Sequence, residues 1–227
     1  MPAPQVISVA TGKVGTLARG SRVTRSAFVK TPVTGPMTLR VEGFDGDEHV
    51  YEHHGGSDMA ALIYSFDHYP VWESELGRPL PVPSFGENLT VAGFTEDDVH
   101  LGDVIGIGAA VVQVSQPRTP CHKLAAAFGI RDMAVRVQDT GRTGYLVRVI
   151  EEGAVAAGDG IRLIDRQSSG VSVAEAGRIV NLATSDLDAA RRLLAIDTLG
   201  SAVRRTLAAR VGAGAPEDAA ERLFGVD

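Results

Sequence analysis

Thiols and aromatic rings are scarce in this sequence. The 227 residues include a single cysteine, Cys121, and aromatic side chains make up 5% of the chain. One thiol cannot form an intrachain disulfide, which excludes a disulfide-stapled secreted scaffold. It also excludes a four-thiolate zinc site or an iron–sulfur cluster held within one chain. The small number of rings argues against a nucleic-acid-binding surface built on base stacking.

Positive charge and long apolar segments are also lacking. Lysine and arginine total 22 against 28 aspartates and glutamates, so the net charge is −6. This balance excludes a uniformly basic surface, and we expect no nucleic-acid partner, although one local basic pocket is compatible with it. Apolar runs are short and interrupted, and no basic segment followed by a long apolar stretch opens the chain. We therefore expect a cytoplasmic protein with no membrane partner.

The first two thirds of the chain have the pattern of strands. Apolar, often β-branched residues form short runs bounded by glycine, proline or aspartate. The clearest runs lie at 6–9, 37–41, 89–91, 111–114 and 145–150. Many short strands with frequent glycine turns predict a mainly β domain over residues 1–167, closed or nearly closed into a barrel. One helix is predicted between Phe66 and Gly77, where glycine is the expected stop.

From residue 168 onward the apolar period becomes helical. Ser172 and Glu175 form a capping-box pattern, and further helical runs open near Asp186 and Ser201. A short last helix is predicted between 216 and 223. We therefore predict a separate helical (three-helix) domain at 168–227. This tail has no histidine or cysteine, so we place no chemistry there. We regard it as a packing or pairing element, with a homodimer as the candidate assembly.

The only cysteine lies in a stiff, cationic segment. Residues 116–124 follow a predicted strand, and two prolines restrict their backbone. Arg118, His122 and Lys123 surround Cys121, and positive neighbours stabilise a thiolate, the form that attacks electrophiles or binds metal. We therefore predict a functional thiol, with a buried inert cysteine as the alternative. His122 is a poor base for it, because adjacent side chains of an extended segment point to opposite faces.

Histidines are concentrated in one region of the chain. Four of the six lie between His49 and His68. Among them, His54 precedes two glycines, which let backbone N–H groups approach an anion while the imidazole adds a donor. An exposed polar strand is the alternative interpretation. Zinc could be bound by His49, His53 and a carboxylate, but their spacing matches no established zinc motif.

Further polar candidates lie on or beside predicted strands. Asn88 offers a carboxamide that could orient a ligand and Glu87 offers a carboxylate, although a turn leading into a strand explains both equally well. Lys30, Arg25 and Arg148 are cations on strand-like segments. An inward-facing cation there needs an anionic partner, whereas an outward-facing one is simply solvated.

Taken together, these stretches resemble the MOSC family, which is named for the C-terminal domain of molybdenum cofactor sulfurases. The similar segments occur in family order between residues 6 and 164, and the helical tail resembles the three-helix extension of the stand-alone bacterial, YiiM-like branch. The segments that carry the resemblance are 54–58, 85–89, 102–103, 117–124 and 144–149.

The resemblance implies a fold, a cofactor and a set of site residues. It implies a MOSC-type β-barrel with a few helices and a molybdenum cofactor (molybdopterin), with Cys121 as both the metal ligand and the catalytic residue. Basic positions that would hold the cofactor's phosphate or the substrate are Lys30, His54, Arg118 and Arg148, and Asn88 would orient one of the two. Pyridoxal phosphate is not expected, because the second domain that binds it in some family members is lacking.

The resemblance also implies a reaction. It is the two-electron reduction of a small N-hydroxylated compound, such as an N-hydroxylated nucleobase, by an oxidoreductase that an external electron-donor reductase returns to its reduced state. The alternative is a carrier of molybdenum cofactor or sulfur without its own turnover, with a persulfide on Cys121. A structural or partner-binding β protein is the third class.

Overall fold

Strands occupy most of the first two thirds of the chain, and helices occupy the last third. The computed structural model describes residues 3–19, 22–50, 56–167, 170–215 and 218–225. The strands are β1 (Gln5–Thr11), β2 (Gly15–Arg19), β3 (Arg22–Ser26), β4 (Thr31–Pro32), β5 (Met37–Arg40), β6 (Gly43–Phe44), β7 (Ala61–Ser65), β8 (Leu89–Ala92), β9 (Val104–Ile107), β10 (Ala110–Pro117), β11 (Tyr145–Glu151), β12 (Gly153–Val155) and β13 (Ile161–Asp165). The helices are α1 (Tyr69–Leu76), α2 (Lys123–Phe128), α3 (Met133–Thr140), α4 (Val173–Asn181), α5 (Leu187–Leu194), α6 (Ser201–Ala213) and α7 (Ala220–Phe224), with short 3₁₀ helices at Ser57–Met59 and Phe66–His68.

The strands form one large sheet and two small ones. The large sheet has the order β13-β9-β10-β11-β7-β8-β1-β4 and is antiparallel except for the pair β7 and β8. A second sheet has the order β12-β5-β6, and β2 pairs with β3 in a hairpin. All five strand-like runs of the sequence lie largely within strands, namely β1, β5, β8, β10 and β11. Their β-branched, half-buried pattern is what a pleated surface favours.

The predicted closed barrel is not what these residues form. Within the described ranges, the edge strands β4 and β13 do not pair with each other. In the part of the chain that the structure describes, the two sides of the sheet meet at an isolated bridge between Gln5 and Gly160 and at a few backbone bonds, such as Val6 N–H to the Asp159 carbonyl at 2.9 Å. The segment that meets β1 there is a turn and not a strand. The Asp159 carboxylate stabilises this turn by accepting a hydrogen bond from the Ala156 N–H at 2.8 Å. The fold is therefore a mixed, sheet-rich structure with several helices.

Helices α1, α2 and α3 pack on one face of the sheet around buried aromatic rings. Helix α1 confirms the predicted helix, and Gly77 ends it with a φ of 65°. The other two were missed, because only one helix was predicted before residue 168. Helix α2 has only six residues, too few to show a helical period. Both α2 and α3 place fully buried side chains, such as Leu124 and Val137, in the cluster around Trp72.

The tail contains the predicted capped helices. The Ser172 side chain accepts a hydrogen bond from the Glu175 N–H at 3.1 Å, and Asp186 accepts one from Ala189 at 2.9 Å. The apolar faces of α4, α5 and α6 form a hydrophobic cluster of their own, joined by Leu101 from the first part of the chain. The predicted domain boundary at 167/168 stays a prediction. In the described residues, no helix has both the length and the apolar character needed to cross a membrane.

Candidate functional site

A cavity of about 380 Å³ lies beside the only cysteine. Four of the predicted site residues line it together: Lys30, Asn88, Arg118 and Cys121. They come from three segments of the chain, because Arg118 and Cys121 share the loop after β10. Lys123 and Arg222 line the same cavity, so four cationic residues share its wall with the thiol. The net charge of −6 is compatible with such a local basic pocket.

Two predicted cofactor-binding residues are not among this group. His54 lies outside the described residues, as does His53. Arg148 does not line the cavity, and its guanidinium is engaged elsewhere. Its Nε donates to Asp58 Oδ1 and its Nη1 to Gln113 Oε1, each at 2.9 Å. Contact of Arg148 with a cofactor stays a prediction, and the contacts seen here instead tie β11 to the segment around Asp58.

The loop that carries Cys121 connects β10 to α2 and is held from two sides. The Arg118 N–H donates to the Gly144 carbonyl at 3.1 Å, where β11 begins. From the other side, Arg222 in α7 accepts a hydrogen bond from the His122 N–H at 2.8 Å through its carbonyl, and its Nη1 donates to the Pro120 carbonyl. These bonds fix the backbone on both sides of the half-buried thiol and make the loop a defined platform.

Arg118 is the buried cation nearest in sequence to the thiol. Its residue surface is 8% exposed, and Nη1 has no hydrogen-bond partner among the described residues. Burial lowers the pKa of this guanidinium from its ordinary value, and the nearby Cys121 opposes that change. Burial likewise lowers the pKa of Lys123. An incompletely compensated buried cation is costly, which makes this part of the cavity suited to an anionic ligand.

Lys30, in contrast, has a built-in anionic partner. Its Nζ lies 2.6 Å from Asp47 Oδ1, and the two side chains are 6% and 1% exposed. Asp47 also accepts hydrogen bonds from the Gly12 N–H at 2.6 Å and from Asn88 Nδ2 at 2.8 Å. Burial lowers the pKa of Lys30, and Asp47 opposes that change. Asp47 therefore organises this wall of the cavity.

The sequence analysis missed Asp47. It follows Asp45 and Gly46, a pattern typical of a turn, and its partners Lys30 and Asn88 are 17 and 41 residues away. No local spacing indicates contacts over that distance. The amide of Asn88 is also fixed within the protein, because its Oδ1 accepts a hydrogen bond from the Leu62 N–H at 3.1 Å.

Glu87 is a fully buried carboxyl group next to Asn88 in the chain. It accepts hydrogen bonds from the Phe85 N–H at 2.8 Å, from Thr90 Oγ1 at 3.0 Å and from the Tyr69 hydroxyl. Burial raises the pKa of Glu87 from its ordinary value of 4.5, although these hydrogen bonds oppose the change. The sequence left open whether Glu87 is a ligand or part of a turn, and its contacts with Tyr69 and Phe85 give it a structural role.

We expect the stability of the protein to depend on the protonation of Glu87. Between pH 4.5 and the raised pKa, the folded state holds a proton that the unfolded chain has released, so the free energy of unfolding falls as the pH rises through that window. The stability of the wild type relative to Glu87→Gln should fall over the same window in denaturant titrations. Glu151→Gln, at an exposed position, is the matched control for the substitution itself. Parallel curves for wild type and Glu87→Gln would contradict this assignment.

The helical tail forms part of the cavity wall, which the sequence analysis did not foresee. Tail residues lining it include Asn181 in α4 and Val203 and Thr206 in α6. Asn181 Nδ2 donates to the Arg118 carbonyl at 3.2 Å, which joins the tail to the loop that carries the thiol. The expectation of no chemistry in the tail rested on its lack of histidine and cysteine. That criterion overlooks carboxamide and apolar residues that only the fold brings to a cavity.

The histidine-rich region provides no metal site in the described part of the chain. No group of three or more histidine, cysteine, aspartate or glutamate side chains is close enough there to hold a metal ion. His49 lines the cavity. His53, the other histidine of the suggested zinc site, lies outside the described residues. Burial lowers the pKa of His49, which favours its neutral form.

Comparisons with known proteins identify the family. The sequence profile of the MOSC domain matches residues 50–162. YiiM of Escherichia coli is 39% identical over 223 residues, which are 96% of this chain and 98% of that protein. The chain belongs to the MOSC family. This MOSC protein is also 44% identical to YflK of Bacillus subtilis, described as uncharacterized, over 88% of the chain and 90% of the relative.

Two further comparisons extend the family relationship. The crystal structure of YiiM from Escherichia coli superposes with a TM-score of 0.81 at 35% identity, covering 99% of this MOSC protein and all of that chain (100%). The match therefore includes the helical tail. A protein of Gibberella moniliformis named reductase is 36% identical over 79% of the MOSC protein, which corresponds to 33% of that longer relative.

Proposed function

We propose that this protein is a molybdenum-cofactor-dependent oxidoreductase that reduces N-hydroxylated compounds, with Cys121 as the metal ligand. One observation carries the proposal: the only thiol shares a cavity with the buried guanidinium of Arg118, which has an unused hydrogen-bond donor within the described residues. Membership of the MOSC family, which is generally associated with the molybdenum cofactor, supports it. The similarity to a protein named reductase supports the redox part.

The residues of the cavity fit such a cofactor. A thiolate is a soft ligand of the kind that redox-active metals accept, and Cys121 supplies it. Arg118 and Lys123 supply cations for the cofactor's phosphate. Lys30 and Asn88 also line the cavity, and their bonds to Asp47 hold them in place. We propose the same cofactor-binding role for His54 and Arg148.

The reaction balances as a two-electron reduction. The N–O bond of an N-hydroxylated amine breaks, two electrons and two protons are taken up, and the amine and water are released. The cofactor, when bound, supplies the two-electron chemistry. The chain orients the substrate in a confined cavity, whose wall includes Lys123. A separate electron-donor reductase, in the cytoplasm, would supply the electrons.

Turnover tests the proposal. Protein produced in a cofactor-synthesising host and given a chemical reductant should convert an N-hydroxylated purine to the aminopurine over many cycles, as followed by chromatography. Cofactor-free protein is the control and should give no product. Absence of turnover by loaded protein, together with transfer of its cofactor to an apo-enzyme, would establish the carrier function instead.

A further inference from the structure

Two residues that line the cavity, one in the helical tail and one in the large sheet, have side-chain oxygens without a hydrogen-bond partner among the described residues. Asn181 at the end of α4 and Gln116 in β10 both line the cavity and are 5% and 4% exposed. Asn181 Oδ1 and Gln116 Oε1 have no hydrogen-bond partner among the described residues. Buried side-chain oxygens are rarely left without a partner, because nothing then compensates for their loss of water. Two of them on one cavity indicate a ligand that donates hydrogen bonds.

The orientation of the Asn181 amide follows from its one hydrogen bond. Its Nδ2 donates to the Arg118 carbonyl at 3.2 Å, and only the nitrogen of an amide can make that bond. The unused atom is therefore the oxygen. Arg210 in α6 fixes the backbone before it, because its guanidinium donates to the carbonyls of Ile179 at 3.1 Å and Val180 at 2.8 Å. The acceptor is thus preorganised.

A donor completes the set of polar groups. Arg118 also lines the cavity, and its Nη1 is the unpartnered donor described above. The same cavity is also lined by the apolar residues Val180 and Val203. Two acceptors, one donor and apolar surface match the edge of a flat aminoheterocycle, whose amino group donates while a ring nitrogen or carbonyl accepts. Carboxamide oxygens accept from the amino group of adenine in other contexts, and here Arg118 would supply the donor to the ring because Asn181 Nδ2 is already used.

We propose that Asn181 and Gln116, together with Arg118, form a recognition site for the amino-bearing edge of a planar nitrogen heterocycle. The inference rests on the proposed function and specifies which part of a ligand the cavity selects. Two heterocycles carry this chemistry, namely the base of an N-hydroxylated nucleobase and the pterin of the cofactor. In either case the helical tail, through Asn181, determines specificity.

Binding of adenine and purine to cofactor-free protein tests the substrate source, because the two bases differ by one amino group. By titration calorimetry the wild type should bind adenine about tenfold more tightly than purine, the effect of one well-placed hydrogen bond. Asn181→Leu, which lacks both amide atoms, should lose this preference. Asn181→Asp keeps an acceptor but loses the bond to the Arg118 carbonyl, so it is the matched control and should keep the preference.

The pterin content of the same variants tests the cofactor source. If the pterin occupies the site, Asn181→Leu purified from a cofactor-synthesising host should hold less than about a tenth of the pterin held by Asn181→Asp, measured as oxidised pterin fluorescence. The inference is overturned if Asn181→Leu and Asn181→Asp are alike in both experiments. Neither experiment depends on turnover, so failure of the proposed function would leave these results interpretable.

Discussion

Cys121→Ser, purified from a cofactor-synthesising host, is expected to contain less than about a tenth of the molybdenum of the wild type and to reduce no N-hydroxylated purine. Serine has nearly the same shape as cysteine, but its hydroxyl is a poor soft-metal ligand and is not ionised at neutral pH. Elemental analysis and pterin fluorescence measure the loss. Because Cys121 is the only cysteine, no second thiol can substitute for it.

The control for this variant is its thermal stability. Cys121 is half-buried in a loop whose bonds run through backbone atoms of its neighbours, so the serine variant should unfold within a few degrees of the wild type. Equal molybdenum in both proteins would contradict the assignment of Cys121 as the ligand. Equally little molybdenum and no pterin in both would instead favour a structural or partner-binding β protein.

Asp47→Ala is expected to destabilise the protein by about 3–5 kcal/mol, because it removes one partner of a buried ion pair. Lys30 would be left buried without its counter-charge, and the Gly12 N–H and Asn88 Nδ2 would lose their acceptor. The free energy of unfolding from denaturant titrations measures the effect. The double variant Lys30→Met with Asp47→Leu should recover much of the loss, because it removes both charges together.

An exposed ion pair provides the matched control for Asp47. Asp188 pairs with Arg191 on the surface of α5 at 2.6 Å, where the side chains are 84% and 56% exposed. Solvent screens such pairs, so Asp188→Ala should cost no more than about 1 kcal/mol. If Asp47→Ala costs as little as Asp188→Ala, the pair with Lys30 does not organise the cavity wall.

Local features of the fold were predictable where one chemical pattern decides the structure. The β-branched runs became strands, Gly77 ended its helix, and Ser172 capped α4, because each depends on neighbours within a few residues. Closure of the sheet depends instead on whether residues near Gly160 pair with β1 as a strand or meet it as a turn. Sequence periodicity carries no information on that choice, and the turn held by Asp159 decided it.

The candidate site was predictable in proportion to how unusual its residues are. A lone cysteine among cations is conspicuous, and Cys121 and Arg118 do line one cavity. Asp47 and Asn181 are ordinary residues in ordinary contexts, a turn and the end of a helix. Their importance comes from partners far away in the chain, which only the tertiary structure supplies.

The cavity has walls both from the strand-rich part of the chain and from the helical tail, and this affects how the protein can change over evolution. Cys121 and Arg118 lie on the loop after β10, whereas Val203 and Thr206 lie on α6, more than 80 residues later in a helix that also packs within the tail cluster. Substitutions in α6 can therefore reshape one side of the cavity while the cysteine loop keeps its sequence. A lineage could acquire new ligands in this way without rebuilding the face that carries the cysteine.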